Sequence, residues 1–244
     1  WDSMLGLIDI CFSWIVYLNM MILYTLAKAG RWKAMFITSY LLFSVAFLLK
    51  GLPAVVFQGI SILTALQLHG VFRKKIFSAD HWIGTGIGIV PLVTYYVAFA
   101  ASVDLSKVFI VLFDQSMQRT ATHHGLGKTI AHVFTFPFEQ TYHFLPWSLL
   151  VAMTFYPGFM ARIRSNDFVR FNFWMLVTNL PVYWLSVQVY PRYVLMFIPM
   201  FNLVGYFILD LSRVSFPVWW KVFWGLFIGL TALAWLGTLG MPFA

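Results

Sequence analysis

Charge is what this chain has least of. Its 244 residues include 16 Lys and Arg and 8 Asp and Glu, so 10% are charged, where soluble domains average about 25%. With 61% hydrophobic residues and a mean hydropathy of +0.82, it lies outside the soluble range. Cysteine is nearly absent as well. Cys11 stands alone in an apolar stretch, which excludes an internal disulfide and leaves the redox compartment open. Segments of alternating polarity are missing, which argues against a membrane barrel. Also missing are 20–50-residue repeats, low-complexity tracts and a soluble domain. The GxxxxGK[ST], GxSxG and HExxH patterns do not occur, and Gly125-Leu126-Gly127-Lys128 lacks the spacing of the first.

What is there is a series of apolar runs. A membrane helix needs roughly 20 mostly apolar residues, and eight runs qualify: Leu5–Ala27, Ala34–Leu49, Pro53–Leu68, Trp82–Ala101, Phe144–Met160, Phe168–Val187, Tyr193–Leu209 and Val218–Leu239. The expected fold is all-α, a polytopic integral membrane protein with about eight transmembrane helices in one domain over residues 1–244. Lys50-Gly51-Leu52-Pro53 leaves room only for a sharp turn, because Gly accepts positive φ and Pro starts a helix well. Gly84, Gly86 and Gly88 suit close helix packing, and Trp147, Trp184, Trp219 and Trp220 suit an interface belt. The chain enters its first run at Trp1 without an initiator Met, so it is expected to be a fragment of a longer protein.

The net charge of +8 does not predict a nucleic-acid partner, since the basic residues are dispersed in small groups between apolar runs. Topology accounts for them better. Lys28, Arg31, Lys33, Arg73, Lys74, Lys75, Arg162, Arg164, Arg170, Arg213 and Lys221 fall on alternate joints, against Lys50, Lys107, Arg119, Lys128 and Arg192 on the others. The positive-inside rule then places both ends, and the long polar passage Ser102–Tyr142, on the outer face. That passage holds Asp104, Lys107, Asp114, Gln115, Arg119, His123, His124, Lys128, His132 and Glu139, and is expected to be an extracytoplasmic loop carrying part of any chemistry.

Asp9 lies in the first run, where a charge costs about 2.5–3.5 kcal/mol on insertion scales. It reads either as a carboxylate in a polar cavity, able to bind a metal, orient a hydroxyl or act as a base, or as a residue that snorkels to the interface or is hydrogen-bonded to a neighbouring helix. Lys50 and Arg192 sit at outer helix ends beside Gly or Pro. Each is a cation at the depth of a lipid phosphate, or an ordinary interfacial anchor. Asp114–Arg119 has the period of a short interfacial helix with Gln115 and Arg119 on one face, which makes Arg119 a phosphate candidate or a solvated charge. His123, His124, His132 and Glu139 give no recognised metal spacing, so no cofactor is assigned and a divalent metal stays open.

Four segments carry a family resemblance, in order along the chain. Ala46-Phe47-Leu48-Leu49-Lys50-Gly51-Leu52-Pro53 resembles an AFLTKGP turn, and Phe113-Asp114-Gln115-Ser116-Met117-Gln118-Arg119 a loop segment ending in QRF. Pro137-Phe138-Glu139-Gln140-Thr141-Tyr142-His143-Phe144-Leu145-Pro146-Trp147 is similar to PFWYYLP followed by PW, and Tyr190-Pro191-Arg192-Tyr193-Val194-Leu195-Met196-Phe197-Ile198-Pro199 to LPRYLLPLYP. The chain thereby resembles the GT-C-fold, lipid-linked-sugar glycosyltransferases of the bacterial aminoarabinose transferase family, relatives of the protein O-mannosyltransferases.

The resemblance implies a polyprenyl-phosphate-linked sugar donor, a glycolipid, glycan or protein acceptor, and a multi-pass place in a bacterial inner membrane. Arg119 and Tyr193 match positions that contact the carrier-lipid phosphate, with Lys50 and Arg192 nearby, and Leu7-Ile8-Asp9 resembles the segment of the second active-site carboxylate. The primary catalytic acid of such enzymes lies upstream of this chain, so the fragment alone is expected to be inactive. Two departures stand out: the Arg119-to-Pro137 stretch is longer than the usual form, and Ser116 stands where some members carry a metal-binding His. The rival classes are a secondary transporter, expected to show internal symmetry and broken mid-bilayer helices, and a non-catalytic membrane protein.

Overall fold

A computed structural model describes residues 2–102, 104–117, 126–186, 189–215 and 217–240. Helices and turns make up the described residues, with no strand among them. The chain is an all-α membrane protein: among the described residues four helices are long and apolar enough to cross a bilayer, Leu7–Lys28, Trp32–Lys50, Ala79–Ala100 and Pro191–Arg213, and Leu52–Leu68 and Pro217–Leu233 are shorter apolar helices. Contacts divide the chain into two compact units, residues 1–133 with 174–198, and residues 134–173 with 199–244.

The first unit starts with α1 (Asp2–Lys28) and α2 (Trp32–Lys50). Gly30 at φ +69 joins them, and the Arg31 amide donates to the Leu26 carbonyl to close the end of α1. Gly51, at φ +70, is the whole joint between α2 and α3 (Leu52–Leu68), and Pro53 sits in the first turn of α3. The sharp turn expected there is present. A short helix α4 (Phe72–Lys75) carries three consecutive cations. The Ser78 hydroxyl then accepts from the His81 amide and caps α5 (Ala79–Ala100).

The pair α2 and α5 approaches closely because two glycines let it. A Cβ on Gly84 would lie 2.6 Å from the Phe36 Cβ, and one on Gly88 2.5 Å from the Tyr40 Cβ, whereas Gly86 faces open space. Polar side chains also tie the unit together. Asn19 of α1 donates to Gln58 of α3 at 2.6 Å, and Gln58 donates to Ser39 of α2 at 2.8 Å. Such bonds matter in lipid, where the apolar surface itself gives helices little reason to associate.

The passage Ser102–Tyr142, expected as a loop, contains α6 (Leu105–Met117) and α7 (Leu126–His143). Among the described residues, Lys107, Asp114, His132 and Glu139 lie on these helices. Pro137 lies inside α7 and offers no N–H, so the Val133 carbonyl loses its helical donor. The Trp184 indole N–H takes that place at 2.8 Å.

Two expected spans are not single helices. Phe144–Met160 holds a 3-10 segment, Trp147–Phe155, and the start of α8 (Phe159–Arg164), separated by Pro157 and by Gly158 at φ +73. Phe168–Val187 is split into α9 (Asp167–Asn179) and α10 (Pro181–Trp184), since Pro181 lacks the N–H to continue α9. A second 3-10 segment, Pro191–Phe197, leads into α11 (Ile198–Ser215), and α12 is Pro217–Gly240. The second unit has its own core of Leu150, Met153, Ile163, Val169, Val204, Ile208, Leu209 and Phe223. There Gly205 lets Leu150 close in, with 2.7 Å from its missing Cβ to the Leu150 Cβ.

Candidate functional site

Asp9, Lys50, Arg192 and Tyr193 meet in the first unit, although the chain separates Asp9 from Arg192 by 183 positions. Each comes from a different kind of position. Asp9 lies on α1 one turn before Phe12, Lys50 is the last residue of α2, and Arg192 and Tyr193 lie in the 3-10 segment. The Gly51 joint fixes Lys50, because α3 begins at the next residue. The Tyr193 amide donates to the Tyr190 carbonyl at 2.9 Å, a tight turn that sets Arg192 and Tyr193 against α1 and α2.

The centre of the site is a doubly bonded carboxylate. Lys50 Nζ donates to Asp9 Oδ1 at 2.6 Å and Arg192 Nε donates to Oδ2 at 2.7 Å. Asp9 and Lys50 side chains are each 9% exposed, while Arg192 is 39% exposed. Aromatic rings form the walls. Lys50 Nζ lies 3.7 Å from the Tyr193 ring centroid and 5.1 Å from that of Phe12, and the Arg192 guanidinium lies 4.8 Å over Tyr190. Cation–π attraction at these distances adds to the ion pairs where water is scarce.

Two cations meet one carboxylate, so the cluster keeps one formal positive charge in excess. Arg carries five N–H donors, and the bond to Asp9 uses one. The arrangement therefore suits an anion, with Lys50 as a point charge and Arg192 as a fork. Both Asp9 oxygens are engaged by cations, which disfavours a divalent metal on this carboxylate. Among the described residues no three His, Cys, Asp or Glu side chains gather into a metal site.

Arg119 and its neighbours His123 and His124 lie outside the described residues. Asp114 and Met117 fall in the last turns of α6, so the short helix expected from Asp114 is the end of a longer one. The ring walls Phe12 and Tyr190 were not singled out from the sequence. Their signal was the spacing: Phe12 follows Asp9 by one helical turn, and Tyr190 flanks Arg192 in Tyr190-Pro191-Arg192-Tyr193. No family model, curated protein or solved structure matches this chain at a significant level.

Proposed function

We propose that this chain is the membrane part of a glycosyltransferase that moves a sugar from a polyprenyl-phosphate donor to a glycolipid, glycan or protein acceptor on the extracytoplasmic face. With that reading go a GT-C-like arrangement of about eight spans and a bacterial inner membrane. The observation that carries it is the Asp9, Lys50 and Arg192 cluster: a net positive, aromatic-walled site on helices able to cross a bilayer. A donor of this kind presents a phosphate at the headgroup level while its tail stays in lipid, so cations at helix ends meet the phosphate without extracting the tail.

In the reaction the bond from the anomeric carbon to the phosphate oxygen breaks and a bond to the acceptor oxygen forms. The hydroxyl proton goes to a base, and polyprenyl phosphate leaves as the anion. Lys50 and Arg192 stabilise the charge that grows on the departing phosphate. Tyr193 backs Lys50, and Arg119 is assigned to the same phosphate by resemblance. Asp9, with both oxygens occupied, acts as the positioning residue that aims the two cations, and proton removal falls to the upstream carboxylate that the resemblance implies.

The test is sugar transfer by the full-length parent protein in liposomes, beside Lys50→Ala, Arg119→Ala, Arg192→Ala and Asp9→Asn. The reading expects loss of transfer in each, together with weaker binding of polyprenyl phosphate in the three cation variants. Unchanged transfer in all four, or a parent that binds no polyprenyl phosphate, refutes it in favour of a transporter or a non-catalytic protein.

A further inference from the structure

Helix α7 has three kinds of surface, and a helix packed on protein in water needs only two. Ile130, Phe134, Phe138 and Tyr142 recur every fourth residue and are 58%, 69%, 78% and 74% exposed. Each step advances about 40°, so the four cover about a third of the circumference. Thr135, Glu139 and His143 occupy the next arc and are exposed and polar. Thr129, Val133, Phe136, Pro137 and Gln140 occupy the remaining arc and are partly or fully buried, as is His132 between Glu139 and His143. Thr141 falls within the aromatic arc, but its hydroxyl donates to the Pro137 carbonyl at 2.7 Å and so brings no unsatisfied donor to it.

One arc therefore belongs to protein, one to water, and the aromatic arc to neither. Helix α7 is not among the helices able to cross a bilayer, and His132, Glu139, Gln140 and His143 explain why. The chain that follows continues the apolar exposure, with Trp147, Val151 and Phe155 all exposed on the next segment. The bilayer is the better fit. The stripe of α7 by itself offers roughly 500 Å², from about 150–250 Å² per aromatic residue, below the about 800 Å² per partner of a stable protein interface, whereas a bilayer sets no such minimum and is the solvent of the spanning helices.

We propose that α7 lies in the plane of the membrane interface, with Ile130, Phe134, Phe138 and Tyr142 inserted at the boundary of headgroups and acyl chains. The ligand of this surface is the phospholipid bilayer that also holds the spanning helices. Thr135, Glu139 and His143 then face water, and Tyr142 at the end of the stripe keeps its hydroxyl at the headgroup level.

Single nitroxide labels at 130, 134, 138, 142, 135, 139 and 143, on a Cys11→Ala background in phosphatidylethanolamine and phosphatidylglycerol vesicles, test this by power saturation. Relaxation by oxygen should exceed relaxation by a water-soluble nickel complex severalfold at 130, 134, 138 and 142, with the order reversed at 135, 139 and 143. Nickel contact at 134 and 138 equal to that at 139 overturns the proposal. Shielding of 134 and 138 from both reagents also overturns it, because a second copy or another protein then covers the stripe. A benzophenone amino acid replacing Phe138 gives an independent reading: photolysis should add the mass of a phospholipid, and an adduct to protein alone overturns the proposal.

Discussion

Removing the carboxylate of Asp9 should cost more than removing the charge of Lys50, and the geometry sets the order. In Asp9→Asn, Lys50, 9% exposed, loses the carboxylate that it meets at 2.6 Å, and breaking a buried ion pair by removing one partner costs about 3–5 kcal/mol. Arg192, at 39% exposure, recovers part of its solvation and adds about 0–1 kcal/mol. In Lys50→Met, Asp9 keeps its 2.7 Å bond to Arg192, so no unpaired ion is left and the loss is smaller. The double variant removes both buried charges, and its cost should fall short of the sum of the single costs by about 0.5–3 kcal/mol, the range of coupling for side chains in contact. The assay is equilibrium denaturation in mixed micelles, read by circular dichroism, for the wild type, both single variants and the double variant. Additivity within about 0.5 kcal/mol would refute the reasoning, since independent sites behave that way. So would a larger loss in Lys50→Met than in Asp9→Asn.

Gly84→Val and Gly88→Val should each destabilise by about 1–3 kcal/mol, because the added atoms meet the main chain and Cβ of Phe36 and Tyr40, whereas Gly86→Ala should be neutral or stabilising; melting temperatures in detergent separate the three. Trp184→Phe should cost about 1–3 kcal/mol by stripping the Val133 carbonyl of its donor. Adding Pro137→Ala to that variant restores a backbone N–H and should recover part of the loss, and the same melting assay reads both. Gln58→Leu should cost about 1–3 kcal/mol, since it leaves the Asn19 amide and the Ser39 hydroxyl without their partner in the helix interior, and a denaturation midpoint checks it.

Local backbone chemistry was legible at two places where Gly or Pro dictated it. The Lys50-Gly51-Leu52-Pro53 turn followed from one positive φ and one proline, and close packing of α5 was expected at Gly84, Gly86 and Gly88 and occurs at Gly84 and Gly88. The apolar run Phe144–Met160 was harder, because an α-helix and a 3-10 segment demand the same composition; the signals were Pro146 and the Pro157-Gly158 pair. Within the passage Ser102–Tyr142 the helices α6 and α7 were not legible, because its polar residues were weighed by number and not by the face of a helix on which they fall. At the site, residue types were legible and their pairing was not. Nothing local says that a carboxylate at position 9 closes on a cation 183 residues later, since three separate elements must first pack.

The chain of bonds from Asn19 through Gln58 to Ser39 bears on how the protein is made. Helices enter the bilayer in the order of synthesis, so α1 and α2 arrive with Asn19 and Ser39 before Gln58, on α3, has been translated. Until then each polar group lacks its native partner, which is costly where water is scarce. Both bonds need Gln58, so α1 and α2 reach their lowest energy only once α3 has joined them.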